Sequence, residues 1–353
     1  MSFIRRFIDP YLLLLLATVA LAAVLPARGM GAEIADTAVT VAVALLFFLY
    51  GARLAPAAIW AGLTHWRLQG LVFLSTFALF PLLGLGASIA ARGWLPPEIA
   101  TGILFLTLLP STVQSSIAFT GIAGGNVPAA LCSASVSNLV GTVLTPVIVA
   151  LLLPLTGLLP AFGGGGGGGG GGVSWHAIEG IAAQILLPFV VGQLARPLIG
   201  GWIARHKGPT TLVDRGSILL VVYAAFSEGV VSGIWSRVSA GDLALVVVLD
   251  VVLLAAVIVA TTAVSRALRF SRADEIAIVF CGSKKSMASG IPMATILFAG
   301  SSVSLIVLPL MLFHQIQLFV CAVLARRYAA QTAAGIDPAR ADERVVEAAV
   351  DGR

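Results

Sequence analysis

Ten apolar stretches, each about 20 residues long and so able to cross a hydrocarbon core, divide the chain. They lie at about 10–26, 34–54, 68–91, 98–124, 126–153, 174–199, 211–233, 242–265, 273–300 and 303–326. Inside a bilayer no water satisfies the backbone, so each stretch is expected to close its own hydrogen bonds as a helix. Charged residues make up only 10% of the 353 residues and hydrophobic ones 59%. Soluble domains carry about 25% charge, so the composition places this chain among polytopic, all-α membrane proteins, with the lipid bilayer as its main partner.

The net charge of +5 does not point to nucleic acid, because the arginines sit at the ends of apolar spans. With the N-terminus in the cytoplasm, the inner loops hold Arg5, Arg6, Arg53, Arg67, Arg196, Arg205, Lys207, Arg215, Arg266, Arg269, Arg272, Arg326 and Arg327. The outer loops hold Arg28, Arg92 and Arg237. Cytoplasmic loops collect Lys and Arg, so both termini are expected inside, in a bacterial-type inner membrane. The leucine run Leu12–Leu16 behind Arg5 and Arg6 imitates a signal peptide; the spans that follow favour a first membrane helix. Cys132, Cys281 and Cys321 are dispersed, with no disulfide framework or metal spacing. The four histidines form no metal motif; His314, inside the tenth span, reads as a satisfied polar contact.

Two spans are interrupted. The fourth contains Leu109-Pro110-Ser111-Thr112-Val113-Gln114-Ser115-Ser116, and the ninth Cys281-Gly282-Ser283-Lys284-Lys285-Ser286. Five spans plus five, broken at matching positions, predict an internal repeat, and an odd number per copy inverts the second. The expected division is a first repeat at 1–160, a Gly-rich linker at 161–173 holding the Gly163–Gly172 run, a second repeat at 174–328 and a charged cytoplasmic tail at 329–353. A short amphipathic helix is expected at about 338–350 of that tail. Paired broken helices are the mark of secondary transporters with a midplane site.

Each lysine in mid-membrane costs about 2.5–3.5 kcal/mol on insertion scales, and Lys284 lies twelve residues after Arg272. That is about 18 Å along a helix, near the middle of the core. The second half of each broken span starts near the midplane with unpaired N–H groups and partial positive charge. With Lys284 and Lys285 added, the site is expected to favour an anion. Ser111, Thr112, Gln114, Ser115 and Ser116 on one side, and Ser283 and Ser286 on the other, supply hydroxyl and amide groups. Asp250, eight residues past Asp242, is expected about 12 Å deep, as a partner of the lysines or a proton-coupling site. Glu228 reads as an outer gate or an interfacial residue. No nucleophile–base pair argues for an enzyme; Ser283, Lys284 and Ser286 are neighbours in sequence, an arrangement that points side chains apart on a helix.

The chain resembles the bile acid:sodium symporter superfamily, in its SBF-like branch, over about residues 5–328. The resemblance is carried by Phe280-Cys281-Gly282-Ser283-Lys284-Lys285-Ser286, Gly290-Ile291-Pro292-Met293, Phe298-Ala299-Gly300, Leu308-Pro309-Leu310, the Leu109–Ser116 segment, Gly125-Asn126-Val127 and Leu144-Thr145-Pro146. It implies a panel of helices 1, 2, 6 and 7 and a core of helices 3, 4, 5, 8, 9 and 10. Discontinuous helices 4 and 9 cross in the core, with sodium behind the crossing and substrate between core and panel. By resemblance Ser115 and Ser116 stand where sodium-coupled relatives present a serine and an asparagine. Ala130 and Ala134 replace their serine and threonine on helix five, with Ser133, Ser135, Ser137 and Asn138 nearby as substitutes. The sodium set is then Ser115, Ser116, Ser135 and Asn138.

Around the ninth helix those relatives carry a glutamate and a glutamine, where this chain has Phe280 and Lys284. Sodium, a hard cation, needs several oxygen ligands and is repelled by an adjacent ammonium. Lys284 or Lys285 is therefore expected to stand in for a sodium ion as a tethered cation. The expected function is secondary active transport of an organic anion, bile-acid-like or a small carboxylate. No cofactor is expected beyond Na+ as a coupling ion; the alternatives are a sodium-independent or proton-coupled carrier, or a non-transporting receptor on the same fold.

Overall fold

The computed structural model describes residues 10–53, 65–157, 175–231, 233, 236, 238–298 and 302–333. The Gly163–Gly172 run, residues 161–173 of the linker and the expected tail helix lie outside them. The described residues form twelve helices and no β-strand. These are α1 (Pro10–Val24), α2 (Met30–Arg53), α3 (Trp66–Ala90), α4 (Pro97–Leu108), α5 (Val113–Ile122), α6 (Val127–Thr156), α7 (Trp175–Arg205), α8 (Lys207–Val231), α9 (Ala240–Ala267), α10 (Arg272–Gly282), α11 (Met287–Leu297) and α12 (Val303–Ala333). Six of them (α2, α3, α6, α8, α9 and α12) are long and apolar enough to cross a membrane. The pair α4 and α5 makes a seventh candidate, bent by 60°. The chain is a multi-pass integral membrane protein.

Both interruptions read in the sequence occur. Between α4 and α5, Leu109 is extended, with φ −73° and ψ 154°, because a residue before proline is held out of the helical region. Between α10 and α11 the chain leaves the helix over Ser283-Lys284-Lys285-Ser286. A third irregularity had no counterpart in the sequence reading. Within α3 the residues Ser75–Leu79 form one π-helical turn. Pro81 follows two residues after Leu79, and a proline without an N–H disturbs the preceding turn's ladder.

Helix ends are set by local chemistry. Asn126 caps α6, its side chain accepting from the Ala129 N–H, and Gly157 ends that helix at φ 58°. Ser239 and Asp242 form a reciprocal capping box on α9. Ser271 caps α10, whose first turn carries Asp274 and Glu275. Glu275 is buried and holds three elements together. It takes Arg266 of α9 at 3.3 Å, Arg272 at 2.6 Å and the Tyr328 hydroxyl of α12 at 3.3 Å. Asn126 also donates to Asp274 (2.8 Å) and to the Ala273 carbonyl (2.9 Å), tying the start of α6 to the start of α10.

Two sets of helices pack side by side. In one, α1 lies on α8, and α2 lies on α7 and α8; the other gathers α3, α4, α5, α6, α9, α10 and α12 around the two breaks, and α11 touches both sets. The α2–α7 approach is tight on both sides. A Cβ added at Gly51 would overlap the Phe189 carbonyl, and one added at Gly192 would overlap the Phe48 carbonyl. Membrane helices use small residues this way, since lipid supplies no hydrophobic drive for association. Aromatic pairs fill the second set, Phe80 against Phe313 at 6.1 Å and Phe105 against Phe298 at 5.1 Å, both edge to face.

Gly192→Ala is expected to force α2 and α7 apart and cost about 1–3 kcal/mol, the usual range for overpacking. Gly86→Ala, where an added Cβ meets nothing within 4 Å, is expected to leave thermal unfolding in detergent unchanged or improved. Equal melting temperatures for the two variants would contradict this packing.

Candidate functional site

Breaking a helix frees carbonyls that lipid cannot satisfy, and around both breaks several of them accept from other segments. The Thr145 hydroxyl donates to Leu108 O (2.8 Å), and the Asn138 amide to Ser111 O (2.8 Å). The Ser116 hydroxyl donates to Phe280 O (3.0 Å), and Ser75, in the π turn, to Gly282 O (2.9 Å). The two breaks touch directly, the Ser286 N–H donating to Pro110 O at 2.8 Å. Gln317 of α12 pairs with the Lys285 backbone from both sides, accepting from its N–H (2.9 Å) and donating to its carbonyl (3.0 Å).

Lys285 occupies the centre. Its ammonium is wholly buried and donates to Thr76 O (2.8 Å), Thr107 O (2.7 Å) and Leu109 O (2.7 Å). The Phe80 ring lies 4.3 Å away. All three acceptors are carbonyls the helices cannot use. In the π turn the Phe80 N–H bonds Ser75 O, so the donor due for Thr76 O is residue 81, and Pro81 has no N–H. Thr107 and Leu109 belong to the unwound end of α4. The result is a small cage of inward-pointing oxygens filled by a cation.

Lys284 faces elsewhere. It is equally buried, but its ammonium makes no hydrogen bond and sits over Phe119 (4.2 Å) and Phe280 (5.3 Å). A cation over two ring faces gains electrostatically without an oxygen partner. The two neighbours thus have different surroundings, a split that the non-helical backbone of residues 283–286 permits.

The expected pairing of Asp250 with a lysine does not form. Asp250 is buried, and neither of its oxygens has a hydrogen-bond partner. The register of α9 explains this. Thr261, rather than Asp250, lies against Gly282, its methyl 3.3 Å from where a Cβ would stand. Asp250, eleven residues earlier, is about 16 Å from that level along the helix.

Other expected residues fall into two groups. Ser111, Ser116, Asn138, Ser283 and Ser286 meet at the crossing. The Ser111 N–H donates to Ser137 (3.0 Å), while its own hydroxyl is buried without a partner. Ser289 donates to the Asn138 carbonyl oxygen (2.8 Å) and lies 3.1 Å from the Ser286 hydroxyl. Ser283 turns back to Val279 O. Thr112 and Ser115 are half-buried and bond each other at 3.4 Å, and Gln114 is exposed. Within the sodium set, Ser116 and Asn138 already serve backbone carbonyls, and Ser135 is half-buried on α6. Among the described residues no group of three or more His, Cys, Asp or Glu could hold a metal ion. The three cysteines are free and buried.

The sequence reading missed Ser75, Thr76, Thr107, Thr145, Ser289 and Gln317. Gln317 had a legible signal, a polar residue three after His314 in an apolar span, and the two side chains meet at 2.8 Å. The carbonyl acceptors had none, because every residue has a carbonyl. Lys285→Met is expected to cost about 3 kcal/mol or more, since three buried acceptors lose a charged donor. Lys284→Met is expected to be neutral or stabilising, because it removes a buried charge without hydrogen bonds. Thermal unfolding in detergent orders the two variants, and the reverse order would contradict the cage.

A family model for SBF-like CPA transporters matches residues 9–330. The chain is 53% identical to "Uncharacterized protein PA2026" of Pseudomonas aeruginosa, over 92% of this chain and 94% of that protein. It is 51% identical to "Putative symporter YfeH" of Escherichia coli K12, over 93% of this chain and 95% of that one. It is also similar to the mouse protein named "Sodium/bile acid cotransporter 7", at 28% identity over 80% and 81% of the two chains. The family model spans both broken segments. The chain belongs to the SBF-like CPA transporter family and is a transporter, not an enzyme.

Proposed function

We propose that this transporter is a secondary carrier of an organic anion in which Lys285 permanently fills the place of a coupling cation. The observation behind this reading is the cage of Thr76, Thr107 and Leu109 carbonyls around the Lys285 ammonium. Carbonyl oxygens converging on one point are what a sodium ion takes from a protein. A lysine fixed there excludes the ion by occupation and by charge. Transport would then not depend on sodium. The cotransport named for the mammalian relative needs a free cation site, so the coupling differs.

In this reading the twelve helices make ten spans in two inverted five-helix repeats, α4 with α5 and α10 with α11 each counting once. Both termini face the cytoplasm, as the distribution of Lys and Arg favours. The panel is α1, α2, α7 and α8, and the remaining helices are the core. The anion binds between them near the starts of α5 and α11, where helix dipoles favour negative charge. It is a bile-acid-like or small carboxylate anion. Alternating access is supported by an asymmetry between the half-helices: α11 packs on panel helices α7 and α8, whereas the main partners of α5 are α6, α10 and α12.

The test is thermal stabilisation of purified protein by sterol-derived and small carboxylate anions, in sodium and in choline buffer. Wild type is expected to respond equally in both. In Lys285→Gln, whose cage is vacated, sodium is expected to raise the melting temperature and to become necessary for the anion effect. Sodium dependence in wild type would refute the tethered-cation reading. Binding of an anion without its uptake into proteoliposomes would make the protein a receptor.

A further inference from the structure

Tyr50 lies on panel helix α2, one residue before the glycine that locks α2 to α7. Its ring packs edge to face on buried Phe47, with centroids 5.9 Å apart. Its hydroxyl crosses to the core and donates to the Ala288 carbonyl, in the first turn of α11, at 3.4 Å. The reason that carbonyl is available lies four residues on. Its helical donor would be residue 292, and Pro292 has no N–H. The phenol therefore occupies a carbonyl that the sequence of α11 leaves open.

At the same turn the Met287 and Ala288 N–H groups make no hydrogen bond among the described residues, while Ser286 caps Ser289. The buried Ser111 hydroxyl, beside Pro110 of the facing break, also has no partner. A carboxylate at the start of α11 would meet unpaired donors and the positive end of a helix. The phenol sits on the same residue, Ala288. A tyrosine hydroxyl has one proton to give. A bond to an anionic oxygen is shorter and roughly twice as strong as one to a neutral carbonyl, so a bound carboxylate outcompetes Ala288 O.

We propose that Tyr50 is the panel's recognition group for the transported anion: its hydroxyl leaves the Ala288 carbonyl and donates to a carboxylate or similar oxyanion held at the start of α11. This rests on the reading that the anion binds between panel and core. It makes Tyr50 a specificity-determining residue, with Pro292 setting how easily the hydroxyl is released. Neutral analogues of the same shape lose this contact.

The experiment uses proteoliposomes with radiolabelled taurocholate and pyruvate as the large and small probe. Tyr50→Phe keeps the ring on Phe47 and removes only the hydroxyl. It is expected to raise KM about tenfold, the value of a hydrogen bond to a charged group, with Vmax within about twofold. Pro292→Ala restores an N–H to the Ala288 carbonyl and frees the phenol, so its KM is expected to fall. That gain is expected to vanish when Tyr50→Phe is added. A hydroxyl that only braced α11 would lower the melting temperature or Vmax and leave KM alone in both variants, overturning the inference while leaving transport intact. Wild type that carries neither probe would overturn the transport reading and the inference together.

Discussion

The Lys285 ammonium is the group on which the crossing depends. Three carbonyls from α3 and the α4 break point at it, and its own backbone is held by Gln317 from α12. Without a cation there, three buried acceptors would face one another in a region that water does not reach. With a sodium ion there, the occupant could leave. A lysine supplies the charge and tethers it to the chain.

Prolines decide which carbonyls are available. Pro81 follows the π turn and leaves Thr76 O for Lys285; Pro110 holds Leu109 extended and opens the fourth span; Pro292 leaves Ala288 O for Tyr50. In each case the missing N–H or the restricted backbone creates an acceptor, and a side chain from another helix comes to it. Membrane helices tolerate prolines because neighbours can re-satisfy the freed groups. Here that repair also connects the helices that surround the candidate site.

Lys284 and Asp250 show the opposite situation. Both are buried without hydrogen bonds, and Lys284 lies over two aromatic rings. Neighbouring residues in the sequence, Lys284 and Lys285, thus differ more in environment than many distant pairs do. Hydrogen bonding separates them. Lys285 is held in place by a shell of oxygens, whereas Lys284 has only ring faces.

Much of the architecture was legible beforehand, because lipid leaves a chain few choices. Apolar runs of spanning length become helices, and Pro110 and the Gly282–Ser286 segment mark the interruptions to within a residue or two. The polar cluster from Ser111 to Ser116 and the two lysines likewise mark the two breaks, which touch where the Ser286 N–H donates to Pro110 O. The sequence by itself determined which segments become apolar helices, where two of them break and that charge is buried at one break. Which way each lysine points was settled only by tertiary structure, as were the π turn beside it and the separation of Asp250 from both. So was the reach of Tyr50 across to Ala288. Those outcomes depend on helix register and on backbone carbonyls, and a carbonyl has no letter in a sequence. It becomes a ligand only when a distant turn fails to use it and another helix brings a donor within 3 Å or so.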